Sequence, residues 1–347
     1  MRSREDKNVK GTTIMRKLYA ISGVTGMTGN ELVRQILIDG SEDHILGFDN
    51  FYASSINTVS DRINDSRFEF FKYDLNDVQQ MQNFENRIKV LKDSYDELIY
   101  INCAAVVHTE HFYHVYETFE TNVEGMNKFL QQAIRVGAQK FINCSTSEVY
   151  SMNSWNDDGG VKESDYLTMS VAEHSQRTSY ATGKLLTEFF MKDVVDEGKI
   201  KGCSIRFANV YSKDERFPKH IIPFIINSFK DNKKVVLLEN SRKNRRTFLN
   251  NYDSCSAVLA LASTDSALDG TVYNVATDEE ISIIDLAMLC ASKMGIENPI
   301  IEFEGYRESD PERRLLSTEK IRTRTSWKPS VSLAEGLEEC INNYLKK

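Results

Sequence analysis

The sequence predicts an α/β fold built on a doubly wound parallel sheet, followed by a smaller mixed α/β lobe. Two patterns support this prediction. Through about the first 205 residues, short apolar runs alternate with longer stretches whose apolar residues recur at helical spacing. After about residue 207 the alternation becomes irregular, and the chain's prolines all lie there. Because strands that alternate with helices are joined by right-handed crossovers, the first part of the chain should form a parallel sheet.

The individual elements follow from the apolar runs. Six runs are predicted as strands, at residues 17–22, 44–48, 68–73, 98–103, 140–144 and 203–207. Amphipathic helices are predicted between them, among others at residues 30–39, 119–136 and 180–197. We expect three parts: a disordered polar lead-in at residues 1–16, a sheet domain at 17–206 and a smaller lobe at 207–347. Some exchange of chain between the two lobes is expected as well.

Composition restricts the class of protein. Of the 347 residues, 41% are hydrophobic and 27% are charged, which is typical of a globular protein. The formal net charge of -8 disfavours nucleic acid or an anionic membrane surface as the main partner. No stretch approaches the roughly 18 apolar residues of a membrane span, and residues 1–16 lack the apolar core of a signal peptide. We therefore expect no nucleic-acid partner, no membrane association and a cytoplasmic location.

The six cysteines are scattered, and none forms a C-x-x-C pair. This spacing favours neither a disulfide framework nor a zinc site, and it suits a reducing compartment. His108, His111 and His114 come closest to a metal-ligand cluster, but their three-residue steps drift around a helix, and no second ligand cluster is obvious. We expect no metal and interpret these histidines as packing or substrate contacts, with His108 as a candidate for substrate binding.

A glycine-rich turn follows the first predicted strand and opens the first predicted helix. Its sequence is S-G-V-T-G-M-T-G, with glycines at Gly23, Gly26 and Gly29. Glycines there let the backbone turn tightly and approach a pyrophosphate, whose charge faces the start of the helix. The intervening residues that would share this contact are Thr25, Met27 and Thr28. Glycine turns are common, so the pattern alone is weak evidence for a dinucleotide site.

Two aspartates strengthen the dinucleotide interpretation. Asp49 ends the second predicted strand, about 20 residues after Gly29, where a carboxylate accepts hydrogen bonds from ribose hydroxyls and repels a 2′-phosphate. Asp74 follows the third strand, where the adenine edge would be contacted. Helix capping or turn formation would also explain either aspartate alone. Together with the glycines they favour NAD, rather than NADP, bound to a Rossmann-type sheet.

Tyr180 and Lys184 are candidates for the chemistry, because Y-A-T-G-K places them four residues apart on one helix face. An ammonium near a phenol lowers the pKa of the phenol, so that Tyr180 can take a proton from a sugar hydroxyl while hydride leaves for NAD. Such a pair is also frequent by chance. It gains weight from the residues after the fifth strand, where Thr146 could bond the same hydroxyl and where Ser147 and Glu148 would face the reacting sugar.

The order of these motifs resembles that of the extended short-chain dehydrogenases/reductases, a group of nucleotide-sugar epimerases, dehydratases and decarboxylases. The resemblance covers roughly residues 17–345. Besides the motifs above it includes N-C-A-A at 102–105, T-N-V at 121–123, R-F-A-N-V-Y at 206–211, R-T-F at 246–248, Y-N-V at 273–275, D-P-E-R-R at 310–314 and W-K-P at 327–329. It implies a Rossmann-type sheet with a substrate-binding lobe, NAD as cofactor and a nucleotide-diphosphate sugar as substrate.

The resemblance also implies roles for individual residues. Thr146, Tyr180 and Lys184 would form the catalytic triad, with Asn122 in support. Beyond the glycine turn, the cofactor contacts would be Asp49, Asn50, Asp74, Leu75, Ala104, Ala105, Tyr180 and Lys184. Asn209, Arg246 and Arg314 would hold the nucleotide and diphosphate, and guanidinium groups suit this because they bind phosphate oxygens in pairs. Arg177 and His108 complete the expected substrate contacts.

The reaction type stays open among several alternatives. Each enzyme of this group first oxidises C4 of the sugar. An epimerase then returns the hydride to the other face, a 4,6-dehydratase expels the C6 hydroxyl, and a decarboxylase loses the C6 carboxylate. The sequence T-S-E, which ends at Glu148, resembles UDP-glucuronate decarboxylases and also GDP-mannose 4,6-dehydratases. A surface acid at a strand end would equally explain Glu148.

Other segments divide between the same two reactions. The surroundings of Arg177 and the spacing of Arg314, which could pair with a substrate carboxylate, favour a decarboxylase, whereas segments 23–26 and 104–108 resemble dehydratases. Decarboxylation of a nucleotide-linked hexuronate is the leading prediction. The alternatives are 4,6-dehydration, 4-epimerisation and a non-catalytic NAD sensor. Because the family often pairs through a four-helix interface, we also expect a homodimer formed by the helices at 119–136 and 180–197.

Overall fold

The computed structural model describes residues 15–39, 42–107, 115–150, 159–168, 176–215, 217–232, 234–307 and 310–346. Its strands are β1 (Lys17–Ser22), β2 (His44–Asp49), β3 (Phe68–Lys72), β4 (Glu97–Asn102), β5 (Lys140–Thr146), β6 (Lys201–Phe207), β7 (Asn209–Tyr211), β8 (Lys234–Leu237), β9 (Arg245–Asn250), β10 (Asp269–Val275), β11 (Glu280–Ser282), β12 (Ile300–Phe303) and β13 (Arg313–Arg314). Its helices are α1 (Met27–Ile38), α2 (Val78–Leu91), α3 (Val115–Phe119), α4 (Met126–Val136), α5 (Gln176–Asp196), α6 (Ile221–Asn232), α7 (Asn251–Ala262), α8 (Ile283–Lys293), α9 (Glu319–Thr325) and α10 (Leu333–Lys346).

The main sheet runs in the order β10-β6-β5-β4-β1-β2-β3. Each neighbouring pair of strands in it is parallel. The chain starts at β1 in the middle, winds outward to β3 and then returns to β4 on the other side of β1. This is the order of a doubly wound Rossmann-type sheet, whose ligands bind at the carboxyl ends of the strands where the direction of winding reverses. The predicted fold class is confirmed.

Helices cover both faces of this sheet, which explains why its strands are almost continuous apolar runs. On one face the core includes Leu32 from α1 and Val258 from α7. On the other face it includes Phe84 from α2, Phe129 from α4 and Met191 from α5. Because both faces are buried, the strand ends are held firmly and can position side chains at the carboxyl edge.

The smaller lobe has a core of its own. Its central strand β9 pairs with β11, β13 and β7, and β8 pairs with β12. Helices α6, α8 and α10 pack into this core through Ile226, Leu286 and Leu337. The prediction of a mixed α/β lobe beside the sheet therefore agrees with the observed elements.

Part of the chain after residue 207 returns to the main sheet. Helix α7 packs against α1, and β10 pairs with β6 from Val272 to Val275. The boundaries at 17–206 and 207–347 remain a prediction about domains. Residues 1–14 of the expected lead-in lie outside the described residues. Among the helices that the structure describes, none combines the length and the apolar character needed to cross a membrane.

Candidate active site

The glycine turn joins β1 to α1 at the carboxyl edge of the sheet. Gly23 has a φ of 71°, and a Cβ there would lie 2.8 Å from the backbone nitrogen of Ala104. A Cβ at Gly29 would lie 2.2 Å from the carbonyl oxygen of Gly23, whereas a Cβ at Gly26 would lie 3.3 Å from that oxygen. Gly23 and Gly29 are therefore required by backbone conformation and packing, and Gly26 is the least crowded of the three.

The first turn of α1 lines a cavity of about 570 Å³. Gly26 caps α1 without a side-chain hydrogen bond, and the first turn contains no acidic residue, so the positive end of the helix dipole is available to an anion. The residues predicted to contact the cofactor all line this cavity: Gly23, Thr25, Gly26, Met27, Thr28, Gly29, Asp49, Asn50, Asp74, Leu75, Ala104, Ala105, Tyr180 and Lys184. Its size and its lining suit a nucleotide-sized ligand.

Asp49 organises the backbone beside the glycine turn. Its carboxylate accepts hydrogen bonds from the backbone nitrogen of Thr25 at 3.1 Å and from that of Phe51 at 2.8 Å. Asn50 Nδ2 donates a hydrogen bond to Asp74 Oδ2 at 2.9 Å. The turn-forming role that the sequence left open is thus present, and it coexists with the position of both aspartates in the cavity wall.

Strand β5 and helix α5 bring the predicted catalytic residues together. Tyr180 and Lys184 are both buried, with exposed fractions of 8% and 3%. The Tyr180 side chain forms a hydrogen bond with that of Thr146, the last residue of β5. Lys184 Nζ lies 6.0 Å from the centroid of the Tyr180 ring and donates a hydrogen bond to the Cys144 carbonyl oxygen at 2.8 Å. Thr146, Tyr180 and Lys184 line the same cavity as the glycine turn.

Burial dominates the protonation of this pair. It raises the pKa of the Tyr180 phenol, and the nearby Glu148 carboxylate raises it further, while the hydrogen bond with Thr146 opposes both effects. Burial also lowers the pKa of the Lys184 ammonium. The pKa of the Tyr180 phenol is thus raised, whereas a nearby lysine was expected to lower it. The reason is that desolvation disfavours both charged forms, and Nζ is directed at the Cys144 carbonyl.

Asn122 holds the backbone of Val106, which lines the cavity. It lies in a π-helical turn, Glu120–Gly125, that joins α3 to α4. Its Oδ1 accepts a hydrogen bond from the backbone nitrogen of Val106 at 2.7 Å, and its Nδ2 donates one to the carbonyl oxygen of Val106 at 3.0 Å. Both backbone groups of Val106 are thereby held, and so is the loop that carries Ala104 and Ala105 into the cavity.

Glu148 and the predicted phosphate-binding arginines form a second, charged cluster. Arg314 Nη1 lies 2.5 Å from Glu148 Oε1. Asp310 Oδ1 lies 3.1 Å from Arg246 Nη2 and 3.8 Å from Arg314 Nη2. The two arginines are direct partners in the pairing of β9 with β13. Glu148, Arg246, Asp310 and Arg314 are not among the residues that line the cavity. The backbone nitrogen of Glu148 donates a hydrogen bond at 3.2 Å to Oγ1 of Thr146, which does line it.

The remaining predicted residues are less central or outside the described part. Asn209 in β7 donates a hydrogen bond to the carbonyl oxygen of Thr247 at 3.4 Å. Ser147 is buried and begins the 3-10 turn Ser147–Tyr150. His108 lies outside the described residues, together with His111 and His114, and so does the side chain of Arg177. Within the described ranges, no group of three or more His, Cys, Asp and Glu side chains could hold a metal ion.

A family model described as "NAD dependent epimerase/dehydratase family" matches residues 19–276. The chain belongs to this family. The resemblance inferred from the motifs is confirmed. Among the curated relatives of this chain, dTDP-D-glucose 4,6-dehydratase of Mus musculus is 24% identical over 99% of the chain and 93% of its own length. UDP-glucuronic acid decarboxylase 1 of Arabidopsis thaliana is 23% identical over 95% of the chain and 70% of its own length.

Solved structures share the fold of this chain. A dTDP-glucose 4,6-dehydratase from Streptomyces venezuelae, with NAD and TYD bound, has a TM-score of 0.81 at 22% identity and covers 96% of this chain and 97% of its own. The UDP-glucose 4-epimerase of Thermotoga maritima, with UDP-glucose, has a TM-score of 0.79 at 19% identity and covers 95% and 99%. At these identities the likeness establishes the fold.

Several residues of the candidate site in this chain were not predicted from the sequence. Ser22 Oγ accepts hydrogen bonds from the backbone nitrogens of Cys103 and Ala104 at 3.2 and 3.1 Å, which ties β1 to the loop after β4. Its place at the end of β1 was the available signal, but its partners come from a distant strand. Glu215 and His220, whose side chains are in hydrogen-bonding contact, also line the cavity. No spacing in the sequence connects them to the other lining residues.

Proposed function

We propose that this protein is an NAD-dependent enzyme that modifies the sugar of a nucleotide-diphosphate sugar through transient oxidation at C4. The observation that carries the proposal is the single cavity in which the glycine turn lies together with Thr146, Tyr180 and Lys184. A glycine turn alone would fit many dinucleotide-binding proteins. A buried phenol, an ammonium and a hydroxyl beside it provide the groups that remove a proton from an alcohol.

The residues of the cavity fit NAD. Gly23, Gly29 and the start of α1 would hold the pyrophosphate, Asp49 would accept hydrogen bonds from the ribose hydroxyls, and Asp74 would lie at the adenine edge. The fit depends on glycine, because a Cβ at Gly29 would collide with the turn at 2.2 Å. The negative charge of Asp49 supports NAD over NADP. Bound NAD supplies a reversible hydride acceptor.

The chain's own residues would control the proton. Tyr180 would remove it from the C4 hydroxyl, and Thr146 would orient that hydroxyl. Because burial raises the pKa of Tyr180, its phenolate needs a cation close by. Lys184, at 6.0 Å from the ring centroid, would provide that charge.

For the reaction itself we propose decarboxylation of a nucleotide-linked hexuronate. The supporting observation is the contact of 2.5 Å between Arg314 and the Glu148 carboxylate, one residue beyond the pair Thr146–Ser147. This contact supports the proposal, because the carboxylate of Glu148 already lies against this guanidinium just after β5. A substrate carboxylate at C6 would find the same cation, and Arg246 with Asn209 would hold the diphosphate and nucleotide.

A 4,6-dehydratase is the second candidate. The favouring observation is the extent of the match with the dTDP-D-glucose 4,6-dehydratase of Mus musculus, which covers 93% of that protein, against 70% of the Arabidopsis thaliana decarboxylase. Glu148 would then act as a base near C5 of the sugar. An epimerase would need no such acid.

Product masses distinguish these reactions. The purified protein is incubated with NAD and a panel of UDP-, dTDP-, CDP- and GDP-linked hexoses and hexuronates, and the products are weighed. Loss of carbon dioxide from a hexuronate is the expected result. Loss of water would identify a dehydratase, and an isobaric product an epimerase. No conversion of any member of a broad panel would contradict the proposed function.

The variant Tyr180→Phe separates a catalyst from an NAD sensor. It removes the hydroxyl that takes the proton and keeps the buried ring. We expect turnover to fall by about 10²-fold or more, as for loss of a general base, while the Kd for NAD stays close to that of the wild type. Turnover equal to wild type would refute the assigned role of Tyr180.

We propose further that the protein is a homodimer formed through the helical segments at 119–136 and 180–197. Helix α3, which ends at Phe119, packs against α5 and extends this surface. Large apolar side chains are exposed on both helices: Val115, Tyr116, Phe119, Leu186 and Phe189. An exposed apolar patch of this kind is typical of an interface between subunits. The variant Phe189→Glu should yield a monomer in light scattering, whereas Met288→Glu, at an exposed apolar residue of the smaller lobe, should leave the mass unchanged. A monomeric wild type would contradict the proposal.

We also propose a cytoplasmic location, as the scattered cysteines predicted.

A further inference from the structure

We propose that Cys103 and Cys144 form a modification site for low-molecular-weight disulfides, and that their oxidation to an intramolecular disulfide weakens cofactor binding. The inference goes beyond the proposed function, although it uses NAD binding as one readout. The two sulfur atoms lie 3.8 Å apart, and both residues line the cavity that contains the glycine turn.

The backbone already brings these cysteines within bridging range. Asn102 and Asn143 are the last paired residues of β4 and β5, so Cys103 and Cys144 come directly after that pair on adjacent strands. Adjacent strands lie about 4.7–4.9 Å apart, and disulfides join Cα atoms that are about 4.4–6.8 Å apart. The sulfur atoms would have to approach by roughly 1.8 Å to reach the bond length of about 2.05 Å.

Cys103 is less constrained than Cys144. Strand β4 ends at Asn102, so the nitrogen of Cys103 donates its hydrogen bond to a side-chain oxygen, Ser22 Oγ at the end of β1, at 3.2 Å and not to a backbone carbonyl of the strand ladder. A long, weak contact with a hydroxyl yields more readily than a strand ladder. The movement therefore falls on the loop after β4, while Cys144 stays inside β5.

The two thiols differ in acidity in the way that exchange requires. The hydrogen bond with Cys103 lowers the pKa of the Cys144 thiol, and the Lys184 ammonium lowers it further, against the effect of burial. The hydrogen bond with Cys144 and burial both raise the pKa of Cys103. Because the Lys184 ammonium is held against Cys144 by its hydrogen bond of 2.8 Å to the Cys144 carbonyl oxygen, we assign the attack to the Cys144 thiolate and the resolving step to Cys103.

The chemistry balances with a small disulfide as the oxidant. The Cys144 thiolate attacks one sulfur of the reagent, a mixed disulfide forms, and the first small thiolate leaves. Cys103 then loses its proton and attacks the sulfur of Cys144, which expels the second small thiolate. Two protein thiols are oxidised to one disulfide, and the reagent is reduced to two thiols.

Closing the bridge should deform the cofactor site at two places. Ala104 follows Cys103 and abuts the glycine turn so closely that a Cβ at Gly23 would lie 2.8 Å from its nitrogen. The Cys144 carbonyl oxygen holds Lys184 Nζ at 2.8 Å. Drawing Cys103 towards Cys144 would move Ala104 relative to Gly23 and would strain the hydrogen bond between Lys184 Nζ and the Cys144 carbonyl oxygen. By linkage, a bound cofactor that needs the undistorted site must in turn disfavour the bridge at equilibrium.

The test treats the protein with 2-hydroxyethyl disulfide, without cofactor, and identifies cross-linked peptides by mass in a non-reducing digest. The expected result is a peptide pair joined through Cys103 and Cys144, formed to a smaller extent at equilibrium when NAD is saturating. The Kd for NAD should rise at least about tenfold after treatment and recover with dithiothreitol. Cross-linking is measured without NAD, so a failure of the thiol site and a failure of NAD binding are distinguishable.

Three variants assign the effect. Cys144→Ala lacks the attacking thiol and should give no cross-link and a Kd for NAD that treatment changes by less than about twofold. Cys103→Ala should stop at the mixed disulfide on Cys144. Cys290→Ala, in the core of the smaller lobe, should respond like the wild type. The proposal is overturned if the cross-linked peptide is absent, if the cross-linked protein binds NAD as before, or if treated Cys144→Ala loses as much NAD affinity as the wild type.

Discussion

The variant Gly29→Ala adds one methyl group at the most crowded point of the glycine turn. Its Cβ would lie 2.2 Å from the carbonyl oxygen of Gly23 and 2.7 Å from Cα of Val24. Carbon atoms in contact usually lie about 3.5–4.0 Å apart, so the turn and the start of α1 would have to separate by roughly 1 Å. Overpacking of this kind costs about 1–3 kcal/mol. Both contacts are with backbone, which no change of rotamer relieves, so we expect the upper end of that range.

Gly26→Ala is the contrasting change in the same turn. Its Cβ would lie 3.3 Å from the Gly23 carbonyl oxygen, and Gly26 has a φ of -72°, which alanine adopts without strain. The free energy of unfolding should therefore change by less than about 1 kcal/mol. The added methyl group would stand where the backbone must approach the pyrophosphate. We expect the Kd for NAD to rise at least about tenfold, which corresponds to ~1.4 kcal/mol.

Urea unfolding measures the first quantity, and calorimetric titration with NAD measures the second. Gly137→Ala is the control, because Gly137 has a φ of 77° and a Cβ there would meet nothing within 4 Å. It should lose about 1–2 kcal/mol from left-handed strain and keep the NAD affinity of the wild type. The steric reasoning fails if Gly29→Ala is as stable as the wild type, or if Gly26→Ala binds NAD equally well.

Two further predictions concern charges. Glu188 bonds Arg206 through contacts of 3.0 and 2.6 Å, and both side chains are buried, so Glu188→Gln should lower the free energy of unfolding by about 3–5 kcal/mol in urea; a loss below about 1 kcal/mol would contradict it. Hydrogen bonds from Lys201 and Lys140 lower the pKa of Asp265 from 3.8 to about 2. Its contribution to the free energy of unfolding is present above pH 3.8 and is lost as the pH falls towards 2. Asp265→Asn should therefore have a lower Tm than the wild type at neutral pH and the same Tm as the wild type near pH 2. An equal difference at both ends of this range would refute that reasoning.

Local patterns predicted the elements well, because the forces that form them act over a few residues. Apolar runs identified β1–β6, and the short spacing of Gly23, Gly26 and Gly29 identified the turn between β1 and α1. The i, i+4 spacing of Tyr180 and Lys184 likewise placed both side chains in one cavity wall. Helix and turn geometry is repeated in every protein, so residues close in sequence reveal their relative placement.

The protonation of the site was not readable in the same way. A lysine four residues from a tyrosine predicted an acidic phenol, yet burial raises the pKa of Tyr180. Desolvation depends on which elements cover a side chain, and that coverage comes from β5 and α5 packed together. For the two aspartates both interpretations of the sequence agree with the structure. Asp49 and Asp74 form turn contacts and also line the cavity.

By itself, then, the sequence determined the fold class, the family and the glycine turn, and it predicted the catalytic side chains, since each is carried by a short motif or a periodic pattern. Tertiary structure alone decided how distant residues meet. It brought Arg314 to Glu148 and Cys103 to Cys144, and it returned β10 to the edge of the main sheet beside β6. Such contacts follow from the burial of whole faces of helices and sheets, and no local spacing encodes which partners that burial brings together.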